Sequence, residues 1–194
     1  MTRDEFLQKF SLHRLERHFC DHHANMRQAA VLVPIVARPE GLQVILTRRA
    51  SHLRHHPGQI SFPGGKLEPN DPSLQQAALR EANEEIGLAP SKVSPLGHIN
   101  PISTITRFAI APIIGLVEAD YALTLDHNEV AEAFEVPLSF LLNPQNHRSH
   151  TYRGHTVYFM PYRDKFIWGA TARIIKSLAF HLSKSPDHLI HEVR

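Results

Sequence analysis

The sequence predicts an α+β protein, an αβα sandwich built around a mixed sheet. Three observations carry that prediction. β-Branched runs at residues 29–38 and 42–49 flank a Pro-Glu-Gly turn and read as a hairpin. Helical patterns at residues 73–86 and 167–182 are too few to link every pair of strands, which argues against a doubly wound parallel sheet. At 194 residues, with 42% hydrophobic and 21% charged content, the chain is long enough for one sizeable core.

Each element has its own signal. Phe6, Leu7, Phe10, Leu12, Leu15 and Phe19 are spaced for an amphipathic helix over residues 2–19. Residues 1–28 therefore read as a helical extension, 29–185 as the main domain and 186–194 as a polar tail. Pro34 lacks a ladder donor, which predicts an edge or a bulge in the first strand. A His-rich loop runs from Ala50 to Ser61. The next helix, Ser73 to Ile86, has Pro72 near its start, Asp71 as a capping candidate and Gly87 at its end. VSPLGHINPIST and RFAIAPIIGLVE read as Pro-interrupted strands, EVPLSFLLN at 135–143 as a short helix and TYRGHTVYFMPY as one strand. IWGATARIIKSLAFHL, at 167–182, closes the pattern as an amphipathic helix.

Composition narrows the function. A net charge of +2 is too small to mark a nucleic-acid scaffold on bulk electrostatics, and the 15 His leave anion and metal contacts equally open. Cys20 is the single cysteine, which removes an intramolecular disulfide and a thiolate zinc site, and it reads as packing. MTRDEFLQKF has no apolar run after its charges, and no segment approaches the roughly 18–20 apolar residues of a membrane span. A cytoplasmic setting without membrane or nucleic-acid partners is expected, and a homodimer stays open.

The strongest chemical signal lies in FPGGKLEPNDPSLQQAALREANEEIGL, residues 62–88. Glu81, Glu84 and Glu85 fall within an arc of about 100° on one side of a helix and border its apolar stripe. Like charges at this spacing repel, and no Lys or Arg stands at position 84, 85, 88 or 89 to relieve them. Partly desolvated carboxylates call for a cation, and hard oxygen ligands suit Mg²⁺ or Mn²⁺. Glu81 and Glu85, one turn apart, would clasp one ion, with Glu84 sharing a second or orienting water. Arg80 reads as an anchor for a carboxylate or a carbonyl. Gly64 and Gly65 let backbone groups approach a phosphate or the metal. The turn is not a P-loop, because Leu67 follows Lys66 and Ser61 stands where the first Gly belongs.

This combination resembles the Nudix hydrolases. Gly65 opens their box, and REANEEIGL matches its end at Arg80, Glu81, Glu84, Glu85 and Gly87. Asp71 replaces the first Glu of the box, and eight residues separate it from Arg80 instead of seven. The expansion resembles the coenzyme A pyrophosphatase branch, as does the upstream stretch ILTRRASHLRHHPGQISFPGG. There Leu46, Thr47, Arg49, Ser51, Arg54, Gly58, Phe62, Pro63, Gly64 and Gly65 are in register, with Ala50 in place of Ser.

The resemblance implies a Nudix αβα sandwich and metal-dependent cleavage of coenzyme A, or a derivative, to 3′,5′-ADP and 4′-phosphopantetheine. The alternatives are another nucleoside diphosphate substrate (ADP-ribose, NADH or a nucleoside triphosphate), or a nucleotide- or RNA-binding module without catalysis. Arg49 and Arg54 fall on the branch signature as candidates for substrate phosphate, which suits bidentate guanidinium contacts. Glu129 lies where many members carry a metal ligand or general base. Trp168 and Phe166 read as core.

Overall fold

The computed structural model describes residues 1–12, 25–152 and 154–183. Its centre is β1 (Arg27–Arg38), which pairs antiparallel with β2 (Gly41–Arg49) through a two-residue turn and parallel with β7 (Phe108–Val117). β3 (Ile60–Ser61) and β8 (Val130–Pro137) pair with β2, while β4 (Gly64–Lys66) joins β1. β5 (Val93–His98) and β6 (Ile102–Ser103) pair with β7, completing a mixed eight-stranded sheet. A second sheet has three antiparallel strands, β9 (Arg148–Tyr152), β10 (His155–Tyr162) and β11 (Lys165–Trp168).

Residues along β1 alternate between two cores, which explains its near-continuous apolar run. Ala30, Leu32 and Val36 face α2 (Leu74–Ile86) and pack with Ala78, Leu79, Ala82 and Ile86. Val33 and Ile35 face the opposite layer, α1 (Arg3–Leu12), α3 (Leu138–Leu142) and α4 (Ala170–Ser183), where they join Phe6, Phe10, Leu141 and Ile175. The predicted αβα sandwich is the architecture found. Among the described residues, no helix is long and apolar enough to cross a membrane.

Several expectations are corrected. Pro34 lies in the central strand, opposite Gly115 of β7. The Leu32 amide donates to the Pro63 carbonyl, so by strand alternation the missing Pro34 donor faces that same side. There β1 changes partner from β4, paired at Ala29–Val31, to β2, paired from Ile35, and no ladder bond is lost. Ser73, not Asp71, caps α2, its side chain accepting from the Gln76 amide. The segment read as a helix from residue 135 is strand β8 up to Pro137, with the helix confined to Leu138–Leu142. TYRGHTVYFMPY contributes to two strands, and β11 takes the first residues assigned to the last helix. The rest of the predicted first helix, with Leu15, Phe19 and Cys20, and the tail at 186–194 lie outside the described residues.

The segment after β7 is fixed at both ends. Glu135 of β8 accepts bidentate bonds from Arg38 and another from the Tyr121 hydroxyl at 2.6 Å, while Arg38 also donates to the Ala119 carbonyl at 2.7 Å. Further on, the Thr124 amide donates to Ile86 and the Asp126 amide to Glu85, so the loop docks on the end of α2. Gly87 allows this, since it is left-handed at φ 67° and a Cβ there would press on the Thr124 backbone at 2.8 Å.

Burial alone would raise the Glu135 pKa, but the hydrogen bonds from Arg38 and Tyr121 and the Arg38 charge bring it below the usual 4.5. A depressed carboxyl contributes stability above its unfolded value and loses it as pH falls through the folded one. Glu135→Gln is expected to cost about 1–2 kcal/mol at pH 7, because the guanidinium loses its charged partner. In urea melts from pH 7 down to pH 3, the gap to wild type should narrow below the ordinary Glu value.

Candidate active site

The helix brings its carboxylates to the edge of the sheet beside β4. Glu85 is buried, and its Oε2 accepts from the Gly64 amide at 3.2 Å. Glu81 packs so closely on Gly65 that a Cβ at that position would overlap its carboxylate. A side chain at position 65 would displace that carboxylate from its place beside the glycine strand. Glu84 differs from its neighbours, with a side chain 58% exposed and paired with Arg80 at 2.8 Å.

Arg80 was expected to act as an anchor, and it does. Its Nε and Nη2 donate to the two Asp71 oxygens, each at 3.0 Å, and Nη2 also reaches the Lys66 carbonyl. Nη1 lies 3.2 Å from Glu81 and 2.8 Å from Glu84. One guanidinium therefore ties the glycine strand, the following loop and the helix together. The absence of cations after Glu81 was a misleading signal, since the partner of Glu84 stands four residues before it. The role of Asp71 was hidden because its contact depends on the path of the chain between β4 and α2.

The electrostatics show what the cluster lacks. Burial pushes the Glu85 carboxyl up to about 8; the Gly64 amide and Arg49 oppose this, and the charges of Glu81 and Glu129 add to it. Burial also raises Glu81, against the pull of Arg80 and with the push of Glu84 and Glu129. Glu129 thus lies near enough for both to feel its charge. It is exposed, and its backbone is fixed by the Ala50 amide donating to its carbonyl at 2.8 Å. Asp71, Glu81, Glu84, Glu85 and Glu129 face two guanidiniums, Arg80 and Arg49, the latter 4.0 Å from Glu85.

Among the described residues, no three His, Cys, Asp or Glu side chains already stand together as a metal-binding group. The donor chemistry nevertheless fits a hard divalent cation. Glu81 and Glu85 are hard oxygen donors one turn apart, both pushed toward the protonated form by burial and by the charges of neighbouring carboxylates, and a cation relieves both.

On the other face of the sheet a cleft of about 560 Å³ opens beside the glycines. Val31, Phe108, Ile110, Tyr158 and Ile174 are among its apolar lining, and Arg49, Lys66 and Arg173 among its cations. Arg49 belongs to both regions. Arg54 is exposed and lies outside the lining. Phe166 and Trp168, read as core, are 52% and 40% exposed because they alternate with buried Ile167 on the outer side of β11, and Trp168 lines the cleft. Tyr158 and Arg173 carried no sequence signal for this site.

A NUDIX domain model matches residues 26–154. Nudix hydrolases called NudL, from Enterobacter sp. (strain 638) and Escherichia coli O7:K1, are each 40% identical to this chain, over 96% of it and 97% of their own length. A solved NUDIX hydrolase from Alicyclobacillus acidocaldarius superposes with a TM-score of 0.52 at 18% identity, over 86% of this chain and 95% of that one. RenU, a Nudix hydrolase from M. smegmatis, gives 0.51 at 22% identity, over 59% of this chain and 72% of its own. At these identities the two structures show the shared fold.

The Glu85 shift generates a stability test. Between 4.5 and about 8 the folded, metal-free chain keeps a proton that the unfolded chain gives up. Its stability therefore falls as pH rises across that interval and levels off above it. Glu85→Gln keeps an acceptor for Gly64 and has nothing to ionise. In metal-free buffer at pH 8 the variant should melt a few degrees above wild type, a gain on the order of 1–2 kcal/mol. The advantage should fade toward pH 5.

Proposed function

Since this chain belongs to the Nudix hydrolase family, enzymes acting on pyrophosphate bonds, we propose that it hydrolyses the diphosphate linkage of coenzyme A or a derivative in the cytoplasm. The products are 3′,5′-ADP and 4′-phosphopantetheine. The observation that carries this reading is the joining of a carboxylate cluster to an apolar, cation-lined cleft by Arg49. The upstream signature supports it. Leu46 and Phe62 are buried, the Thr47 hydroxyl donates to the Ser61 carbonyl, and Phe62 and Arg49 line the cleft.

Glu81 and Glu85 would hold Mg²⁺ or Mn²⁺, with Glu84 alongside. When bound, the ion neutralises phosphate charge, polarises the P–O bond and makes water a better nucleophile. The remaining work falls to side chains and backbone. Arg49 faces the diphosphate from the cleft side, and its guanidinium matches phosphate geometry. Arg80 and Asp71 hold Glu81 and the Lys66 carbonyl in place, so the site is set before substrate arrives. We assign Glu129 as the base that takes the proton of the attacking water. The water oxygen bonds to phosphorus as the bridging P–O bond breaks. The domain comprises residues 29–185.

The test is product analysis with coenzyme A and Mn²⁺. Wild type should release 3′,5′-ADP and 4′-phosphopantetheine, and Glu85→Gln should lose at least about a hundredfold in kcat. Glu129→Gln should lower kcat with little change in KM. Survival of coenzyme A while ADP-ribose or NADH is cut would overturn the substrate assignment. Tight nucleotide binding without turnover of any diphosphate would overturn the catalytic one.

A further inference from the structure

We propose that Arg173 forms a second anion subsite in the cleft, one that takes the ribose 3′-phosphate of the substrate. The inference rests on the reading of this cleft as the coenzyme A site. That substrate carries anionic charge in two places, the diphosphate and the phosphomonoester. The carboxylate cluster with its cation and Arg49 serves the first. A dianionic phosphomonoester entering an apolar cleft needs its own cation.

The sheet supplies a ruler. Lys66 pairs with Ala29, Ala29 with Ile110, and Ile110 with Ile102, so the four lie in one row across β4, β1, β7 and β6. Three strand spacings put the backbone of β6 roughly 14 Å from the glycine strand. Arg173 reaches that far end, where its Nη1 donates to the Ser103 carbonyl at 2.7 Å. The guanidinium therefore stands too far from β4 to be the partner of the diphosphate held there.

Arg173 also differs from the arginines that tie the fold together. Arg38, Arg48 and Arg80 each pair with carboxylates. Among the described residues, no carboxylate lies within 4 Å of Arg173, and its contact is a single carbonyl. That bond orients the side chain and leaves the rest of the guanidinium fork open, which lowers the ordering cost of taking a ligand. Val31, Phe108, Ile110 and Tyr158 line the space between the two ends, and Arg173 is exposed at the rim, where its free donors are open to an entering phosphate. One turn along α4, Lys176 sits 3.9 Å over the Tyr158 ring and adds positive field. Of the two sequence candidates for substrate phosphate, Arg49 lines the cleft and Arg54 lies outside the lining.

The experiment compares coenzyme A with 3′-dephospho-coenzyme A as substrates for wild type, Arg173→Gln and Arg173→Lys. Wild type should prefer coenzyme A. Arg173→Gln should lower kcat/KM for coenzyme A by roughly ten- to a hundredfold, mostly through KM, and leave the dephospho substrate unchanged. Arg173→Lys should restore part of the preference. Equal losses on both substrates, or no loss on either, would show that Arg173 only holds β6, and the proposal would fall. If wild type cuts neither, the coenzyme A reading fails separately, and calorimetry with 3′,5′-ADP and 5′-AMP decides the subsite. Tighter binding of the bisphosphate that disappears in Arg173→Gln supports it, and equal binding to wild type overturns it.

Discussion

Carboxylates crowded onto one turn of α2, with too few cations to balance them, are the constraint around which this structure is arranged. Glu85 is buried against the Gly64 amide, Glu81 rests on Gly65, and Glu129 approaches from another loop. Arg80 offsets part of the charge, but most of its donors go to Asp71, Glu84 and the Lys66 carbonyl. What is left is repulsion that a proton on Glu85 or a divalent ion can relieve. These are competing solutions at one position. The same desolvation that makes the site costly for the empty fold makes it receptive to a hard cation.

The scaffold exists to hold that arrangement. β1 runs through the centre with strands on both sides, and its partner changes at Pro34 where a ladder bond would otherwise be missing. That change frees β4 to present its glycines to α2 while β2 carries Arg49 toward the same place. The far end of the helix is fixed by the loop through Thr124 and Asp126, and that loop leads to Glu129. Arg38, Tyr121 and Glu135 hold the other end of the loop, so a half-buried polar network distant from the chemistry helps set where Glu129 sits.

The carboxylate turn was legible in the sequence because helical spacing alone puts Glu81, Glu84 and Glu85 on one side. The sandwich was legible from the β-branched runs of the first hairpin and from the small number of helical patterns. Other features depend on chain paths that spacing does not encode. Asp71 and Arg80 meet because the loop after β4 folds back, and Arg49 meets Glu85 across two elements. β8 was concealed by its half-exposed residues, which lack clean alternation, and by the apolar Leu-Ser-Phe-Leu-Leu run that follows. β11 looked like the start of a helix because its four residues join α4 through a single glycine. Trp168 looked like core for want of any sign that β11 turns alternate residues outward.

The sheet also separates two tasks. Ala30 and Leu32 face α2 and its carboxylates, whereas Ala29 and Val31 face the cleft. A substrate resting on the cleft side must bring its scissile bond to the border of the sheet, where β4 has no side chains at Gly64 and Gly65. The bond that is cut is therefore chosen by the position of that border relative to the groups gripped in the cleft. The lining of the cleft includes residues of β7, β10 and α4, outside the helix that carries the carboxylates. Substitutions on the cleft side can alter what is held without disturbing the carboxylate turn, as expected when one fold serves many substrates. In the proposed reaction the motif on α2 therefore specifies the chemistry, and the lining of the cleft specifies the molecule.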